Sequence, residues 1–124
     1  MQKYNTKTVY IKRNKFNAII ADTTVKRMIG LMFRKRLREN ECMLFIFGNE
    51  GFHAIWMHNM LFPIDAIWLD SNYSIIDIKE NLKPCGSMMN CPEYSPGSPA
   101  KYVIEFNSGA VKRLALTKKS EIKL

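Results

Sequence analysis

The stretch that decides the fold is IWMHNMLFPIDAIW, residues 55–68, which holds both tryptophans of the chain. Two strongly apolar runs flank a short polar segment with His58 and Asn59, and Pro63 and Asp65 follow it closely. Apolar runs of this kind belong in a core, where an unpaired polar group costs about 1–3 kcal/mol. We call residues 56–65 the seam. Its pattern predicts either a structural turn or the floor of a binding site.

Short runs rich in β-branched and aromatic residues lie on both sides of the seam, separated by turn residues. Such runs predict strands, here at residues 8–11, 16–21, 42–47, 52–57, 64–69, 74–79, 102–106 and 121–124. Residues 83–99 carry four prolines and are predicted to form a loop. Phe45, Trp56 and Ile67 stand in the densest apolar runs and are predicted to be core residues. The predicted fold is mainly β, a jelly-roll-like sandwich or partly open barrel of about seven to eight short strands.

One amphipathic helix is predicted from about residue 24 to 36, packed on the sheet. Its apolar residues recur at helical spacing, at Val25, Met28, Ile29 and Met32. The residues before it, 22–24, are of the types that cap helix N-termini. Gly30 inside this helix costs roughly 1 kcal/mol relative to Ala, which indicates that another backbone segment passes close by. A further helical turn is predicted at residues 110–114.

Length and composition indicate a single domain, residues 1–124, with one core. No apolar run approaches the ~20 residues of a membrane span, and no signal-peptide core follows the N-terminus. We therefore expect a cytoplasmic chain with no membrane partner, although a trimmed export signal stays open.

The net charge of +8 is unevenly distributed along the chain. Residues 1–40 contain eleven Lys or Arg and two acidic residues, whereas residues 41–124 contain eight Lys or Arg and nine acidic residues. A basic region such as residues 3–38 can bind an acidic partner such as nucleic acid. A solvated surface is the favoured interpretation, because no aromatic residues alternate with the basic run at residues 34–38.

Three cysteines, an odd number, argue against a fully paired disulfide framework. Cys42 lies in an apolar run and is expected to be buried. Three free thiols are predicted for a reduced cytosol, although Cys85 and Cys91 share one loop and could pair if oxidised. Their spacing matches no common zinc motif.

Four sequence blocks resemble the family catalogued as domain of unknown function 192. They are Ala21-x-Thr23 with Arg27-x-x-Gly30-Leu31-Met32-x-Arg34; Met43-Leu44-Phe45; Trp56-Met57-x-Asn59 with Pro63-Ile64-Asp65; and Ala100-x-Tyr102-Val103-Ile104-Glu105 closing on Gly109. The resemblance covers residues 21–124, with two N-terminal strands in residues 1–20 before it. It implies a mostly β sandwich of jelly-roll-like shape and no established activity.

The chain departs from the family pattern at two positions. Cys42 stands where the family usually has Gly, and Met60 stands where a Thr usually follows Asn59. The second change removes a hydroxyl from the seam and puts in doubt any site that used it. Many relatives resemble exported proteins.

Catalytic chemistry has little support in the residues. A nucleophilic triad would combine a Cys or Ser with His58 and Asp65, but no nucleophile motif is present. Asp65 and Glu105 could form an acid–base pair, although Glu105 is expected instead to form an ion pair with Arg27 or Arg34. No metal site and no cofactor are expected. The donors available for a metal would be His53, His58, Asp65, Cys85 and Cys91, and the two histidines are poorly placed to chelate together.

The predicted function is a non-enzymatic module that binds a small or extended polar ligand at the seam. The candidate ligand-binding residues are Arg34, Trp56, Asn59, Asp65 and Glu105, with Arg34 as an anion anchor. In the competing interpretation, Asn59 and Asp65 only tie down the turn through hydrogen bonds. A nucleic-acid-associated accessory protein using residues 3–38, and an enzyme acting on a polar substrate such as a glycan, also remain open. The residues give no indication of the oligomeric state.

Overall fold

The fold is built on a seven-stranded sheet and a separate two-stranded sheet. The computed structural model describes residues 3–124, without the side chain of Met88. The strands are β1 Thr6–Ile11, β2 Asn14–Ala21, β3 Glu41–Gly51, β4 Ile55–Trp56, β5 Ile64–Leu69, β6 Ile75–Leu82, β7 Glu93–Tyr94, β8 Ala100–Asn107 and β9 Ile122–Lys123. The helices are α1 Thr24–Ile29 and α2 Ala110–Arg113, with a 3₁₀ turn at Met88–Asn90.

The large sheet has the strand order β6-β5-β8-β3-β2-β1-β9. Neighbouring strands run antiparallel except β2 and β3, which are parallel and joined by a crossover through α1. The sheet curls into a half-barrel, and β4 pairs with β7 outside it. The prediction of a mainly β fold is confirmed.

Both faces of the sheet are buried. One face packs around Phe16, Leu44, Ile104 and Phe106 and is covered by α2 and the residues after it, 114–116. The other face carries Met43, Phe45, Trp68 and Val103 and is covered by residues 31–37 and the seam. This double burial explains why β5, with all six residues buried, is apolar on both faces apart from Asp65 and does not alternate between apolar and polar residues.

The α1 helix is shorter than the sequence predicts. Thr23 caps it as expected and accepts a hydrogen bond from Lys26 N at 3.2 Å, but it ends at Ile29. Gly30 adopts φ +50°, and its N–H donates to the Lys26 carbonyl at 2.8 Å, so the predicted extension to residue 36 is wrong. A Cβ at Gly30 would lie 3.1 Å from the Phe45 ring. The close neighbour is therefore a side chain and not the backbone that we expected.

Two predictions around the seam are wrong. The turn expected at residues 48–51 is part of β3, which continues through an irregularity to pair Gly51 with Ala100. The strand expected at residues 52–57 contracts to β4, which pairs with β7 inside the proline-rich segment. Because β4 leaves the main sheet, Trp56 is 36% exposed and is not a core residue. Phe45 and Ile67 are buried as predicted, and the fully buried tryptophan is Trp68.

Candidate functional site

A cleft of about 410 Å³ opens between α1 with its C-terminal turn and the β4 segment. Its volume falls within the range of about 300–1,000 Å³ that is typical of small-molecule sites. Most of its lining is apolar, with methionine and aromatic side chains from α1, β3, β4 and the segments that follow α1 and β4, among them Met28, Met32, Phe45, Phe47, Trp56 and Met60. The polar residues that line it are Thr24, Arg27, Glu93 and Glu105.

Glu105 is the buried polar residue of this cleft. It lies on β8 opposite Met43 of β3 and Ala66 of β5, so its side chain faces the side of the sheet that carries the cleft. The residue is only 5% exposed, and no hydrogen bond or ion pair to its carboxyl is found within residues 3–124. Burial raises the pKa of Glu105 to about 8. The carboxyl is therefore mostly protonated and uncharged at pH 7.

The ion pair predicted between Glu105 and an arginine is wrong. Arg27 reaches the mouth of the cleft, but its guanidinium donates to the Ile46 carbonyl at 2.8 Å and lies 5.2 Å from the Phe47 ring centroid. Arg34 lies over the ring of Tyr4 at 5.5 Å. Both cations are held by other partners, so neither neutralises the Glu105 carboxyl.

Asp65 lies away from the cleft and is held by backbone donors. One carboxylate oxygen accepts from Asn81 N at 2.8 Å, and the other accepts from Gly109 N at 3.0 Å and Val111 N at 2.9 Å. The residue has no exposed surface. It fastens the start of α2 and the end of β6 to β5, so the hydrogen-bonding interpretation fits Asp65 better than ligand contact does.

Asn59 also has a clear structural role. A hydrogen bond from Met60 N to the Met57 carbonyl at 3.3 Å closes a turn in which Asn59 has φ +60°. Asn tolerates this left-handed conformation better than most other residues. Its carbonyl accepts from Phe33 N at 2.9 Å, which ties the seam to the segment after α1. Asn59 does not line the cleft, but its side-chain amide lies 3.9 Å from the Sδ atom of Met32, which does.

Two of the five candidate site residues, Trp56 and Glu105, therefore line one cleft, while Arg34, Asn59 and Asp65 do not. A ligand-binding role stays a prediction for all five. Sequence reasoning missed Arg27, Met28 and Glu93 as lining residues. Gly30, within an otherwise helical pattern, was the one signal that the helix ends there. Met28, in the last turn before it, is 69% exposed.

A second group of side chains lies at the other end of the seam. Cys85 and Cys91 form a disulfide with Cα atoms 5.4 Å apart, so the prediction of three free thiols is wrong. His58 forms a β-bridge with Cys85, and its Nδ1 lies 3.8 Å from Cys91 Sγ. Cys42 is the free cysteine of the described residues, and burial raises the pKa of its thiol to about 12. That thiol is consequently unreactive at neutral pH.

Comparisons with known proteins show the family to which this chain belongs. The model of the family DUF192, described as "Uncharacterized ACR", matches residues 7–124. The chain belongs to this family. It is 35% identical over 97 residues to a UPF0127 protein of Thermococcus kodakarensis, covering 77% of this chain and 56% of that one. It is 33% identical over 101 residues to a UPF0127 protein of Pyrococcus furiosus, covering 77% of this chain and 76% of that one.

Two solved structures share the fold. One, from Sinorhizobium meliloti 1021 and provisionally described as a transcription regulator, has a TM-score of 0.90 and 26% identity over 99% of this chain and 96% of that one. The other, a protein of unknown function from Novosphingobium aromaticivorans, has a TM-score of 0.88 and 24% identity over 96% and 85%. The chain spans little more than half of the Thermococcus relative, 56% of its length.

The four blocks that carry the family resemblance meet at the cleft. Arg27 and Gly30 come from the first block, Phe45 from the second, Trp56 from the third and Glu105 from the fourth, and all five line it. Each of the four blocks therefore contributes at least one residue to the cleft lining. Separately, no helix in residues 3–124 has the length and apolar character needed to cross a membrane.

Proposed function

We propose that this chain is a binding module whose cleft takes a small, mainly apolar molecule through one uncharged polar group. The observation that carries the proposal is the carboxyl of Glu105, a residue that is only 5% exposed, lines the cleft and has no hydrogen bond or ion pair to that carboxyl within residues 3–124. A buried polar group that lacks a hydrogen bond costs free energy. A ligand that supplied that bond would recover this free energy.

The protonation state of Glu105 selects the kind of polar group. Since its pKa is raised to about 8, the carboxyl at pH 7 is a neutral acid that both donates and accepts hydrogen bonds. A ligand hydroxyl, amide or ketone would pair with it at no electrostatic cost. This narrows the polar ligand expected from the sequence to one with an apolar body and a polar tip.

The rest of the cleft suits an apolar body. Methionine side chains are flexible and polarisable, and Met28, Met32 and Met60 would adapt to ligands of different shape. Trp56, half-exposed at the mouth, offers a ring for stacking. Arg27 and Glu93 are opposite charges among the lining residues and nearly cancel, which disfavours a strongly charged ligand.

Methionine methyl NMR tests this directly. With the eight methionines labelled at the methyl carbon, neutral fragments that bear one hydroxyl, amide or ketone are titrated at pH 7. We expect saturable shifts at Met28, Met32 and Met60, while Met57 and Met89 act as internal controls because they do not line the cleft. Uniform or unsaturable shifts across all methionines would contradict the proposal.

A second candidate, a nucleic-acid-associated protein, is favoured by the basic region and by the description of the Sinorhizobium relative. Its weakness is that the basic residues are dispersed. Arg13 and Lys15 lie near Arg113 and Glu39, whereas Lys26 and Arg34 flank Tyr4. Binding to phosphates would weaken steeply with salt, so a steep salt dependence for a short DNA duplex would favour this candidate. Fragment binding in the cleft would hardly change with salt.

An enzyme acting on a polar substrate such as a glycan stays a prediction. The acid–base pair that would support this hypothesis is absent, because Asp65 and Glu105 do not share a site. Cytoplasmic location likewise stays a prediction.

A further inference from the structure

We propose that His58, Cys85 and Cys91 form a redox-gated zinc site, closed as a disulfide when oxidised and open to Zn²⁺ when reduced. The three residues do not line the cleft, and the His58 ring lies 5.0 Å from the ring of Trp56, which does. All three are half-buried, so both a reductant and a metal ion can reach them.

The distances fit a metal centre. One potential ligand atom from each residue lies within 4.8 Å of the other two, and His58 Nδ1 is already 3.8 Å from Cys91 Sγ. Zinc bonds of about 2.0–2.3 Å place neighbouring ligand atoms of a tetrahedral site roughly 3.5 Å apart. The imidazole therefore needs little movement, and rotation of two cysteine side chains separates the sulfurs once their bond is broken.

The backbone holds the ligands together in either redox state. Cys85 N donates to the Met57 carbonyl at 3.3 Å, and His58 and Cys85 are partners in a parallel β-bridge. Cys91 directly follows the 3₁₀ turn Met88–Asn90, which Ser87 caps through a bond from Met89 N. None of these contacts uses a cysteine side chain, so we expect the two thiols of the reduced chain to stay near the imidazole.

Two thiolates and one imidazole are a soft donor set that suits Zn²⁺. Three protein ligands leave a fourth position for water, so the ion would be exchangeable rather than permanently enclosed. The sequence analysis set zinc aside because the spacing of the cysteines matches no common motif and because His53 and His58 are poorly placed to chelate together. In the structure His53 stacks on Phe47 and hydrogen-bonds to the Asn49 carbonyl, away from the cysteines.

The gating reaction balances as thiol–disulfide exchange. A dithiol reductant supplies two electrons and two protons, breaks the Cys85–Cys91 bond and leaves as a disulfide itself. The two thiols then release their protons to solvent as they bind Zn²⁺. In the reverse direction hydrogen peroxide takes two electrons from the thiolates and, with two protons, becomes two water molecules. The S–S bond forms again and Zn²⁺ leaves.

The test compares metal binding by the oxidised and reduced full chain. The protein is reduced anaerobically with a phosphine and titrated with Co²⁺, whose sulfur-to-cobalt absorption reports thiolate ligands, and then with Zn²⁺ against a chromophoric chelator. We expect one ion per reduced chain and at least 100-fold weaker binding to the oxidised chain. Equal binding by both forms, or no thiolate band with the reduced chain, would overturn the proposal.

Variants locate the site. His58→Gln leaves the disulfide intact and should weaken zinc binding by the reduced chain at least tenfold, as should Cys91→Ser. His53→Gln and Cys42→Ala are the matched controls and should bind as the parent does. Loss of zinc binding in either control refutes the assignment. Unchanged zinc binding in His58→Gln refutes it as well. Circular dichroism of the reduced chain accompanies each titration, since a chain that unfolds on reduction also contradicts the proposal.

Discussion

Asp65 and Glu105 lie on neighbouring strands of one sheet but face opposite sides of it. In the register of β5 with β8, Asp65 pairs with Phe106, and Glu105 pairs with Ala66. Adjacent residues of a strand alternate between the two faces. Asp65 therefore points to the face that packs on α2, and Glu105 points to the face that carries the cleft. The hypothesis that these two residues form an acid–base pair is therefore wrong, and each has a separate role.

Replacement of Asp65 should destabilise the fold. Asp65→Ala leaves three backbone N–H groups without their acceptor, and we expect a loss of about 3 kcal/mol or more in the free energy of unfolding. Asp65→Asn retains one acceptor oxygen and should lose less. Urea denaturation measures both. A loss below about 1 kcal/mol for the alanine variant would show that these bonds are not needed.

The raised pKa of Glu105 makes stability depend on pH. Between about pH 4.5 and 8 the unfolded chain releases the proton of this carboxyl while the folded chain keeps it. The free energy of unfolding should therefore fall by on the order of a few kcal/mol as pH rises through this window. Above pH 8 it should become level. Glu105→Gln cannot ionise, so this decline should disappear from its thermal or urea unfolding profile. Parallel profiles for parent and variant would refute the assignment.

Asn59 is expected to matter through its backbone conformation. Asn59→Ala forces an ordinary side chain to φ +60° and should cost about 1 kcal/mol. Asn59→Gly, which accepts positive φ freely, should leave the melting temperature nearly unchanged. If the glycine variant were as unstable as the alanine variant, the side chain rather than the turn would be the important part.

The two tryptophans should respond differently to truncation. Trp68 is fully buried and its Nε1 donates to the His53 carbonyl at 2.9 Å. Trp68→Ala should cost about 3–5 kcal/mol. Trp56 is 36% exposed at the cleft, so Trp56→Ala should cost much less stability but weaken fragment binding. Denaturant titration of both variants checks this, and an equal loss for the two would place Trp56 in the core after all.

The sequence predicts the elements set by local pattern and misses those set by tertiary contact. Residues 64–69 coincide with β5, and Thr23 caps α1, because apolar runs and capping residues act locally. The exposure of Trp56 could not be predicted, since it follows from β4 pairing with β7, where Trp56 lies opposite Glu93 of the proline-rich segment. The pairing of Glu105 with Ala66 is equally non-local, so only the register reveals which face each carboxyl occupies.

The pH dependence of fragment affinity, compared in the parent chain and in Glu105→Gln, tests the central claim most directly. If the ligand pairs with the protonated carboxyl, affinity in the parent should be constant below pH 7. It should fall about tenfold by pH 9 as Glu105 ionises with a pKa of about 8. Glu105→Gln, which keeps a hydrogen-bonding group of similar size, should bind with no such decline. Affinity that is independent of pH in both proteins, or that increases through pH 8 in the parent, would contradict a cleft built around a neutral carboxyl.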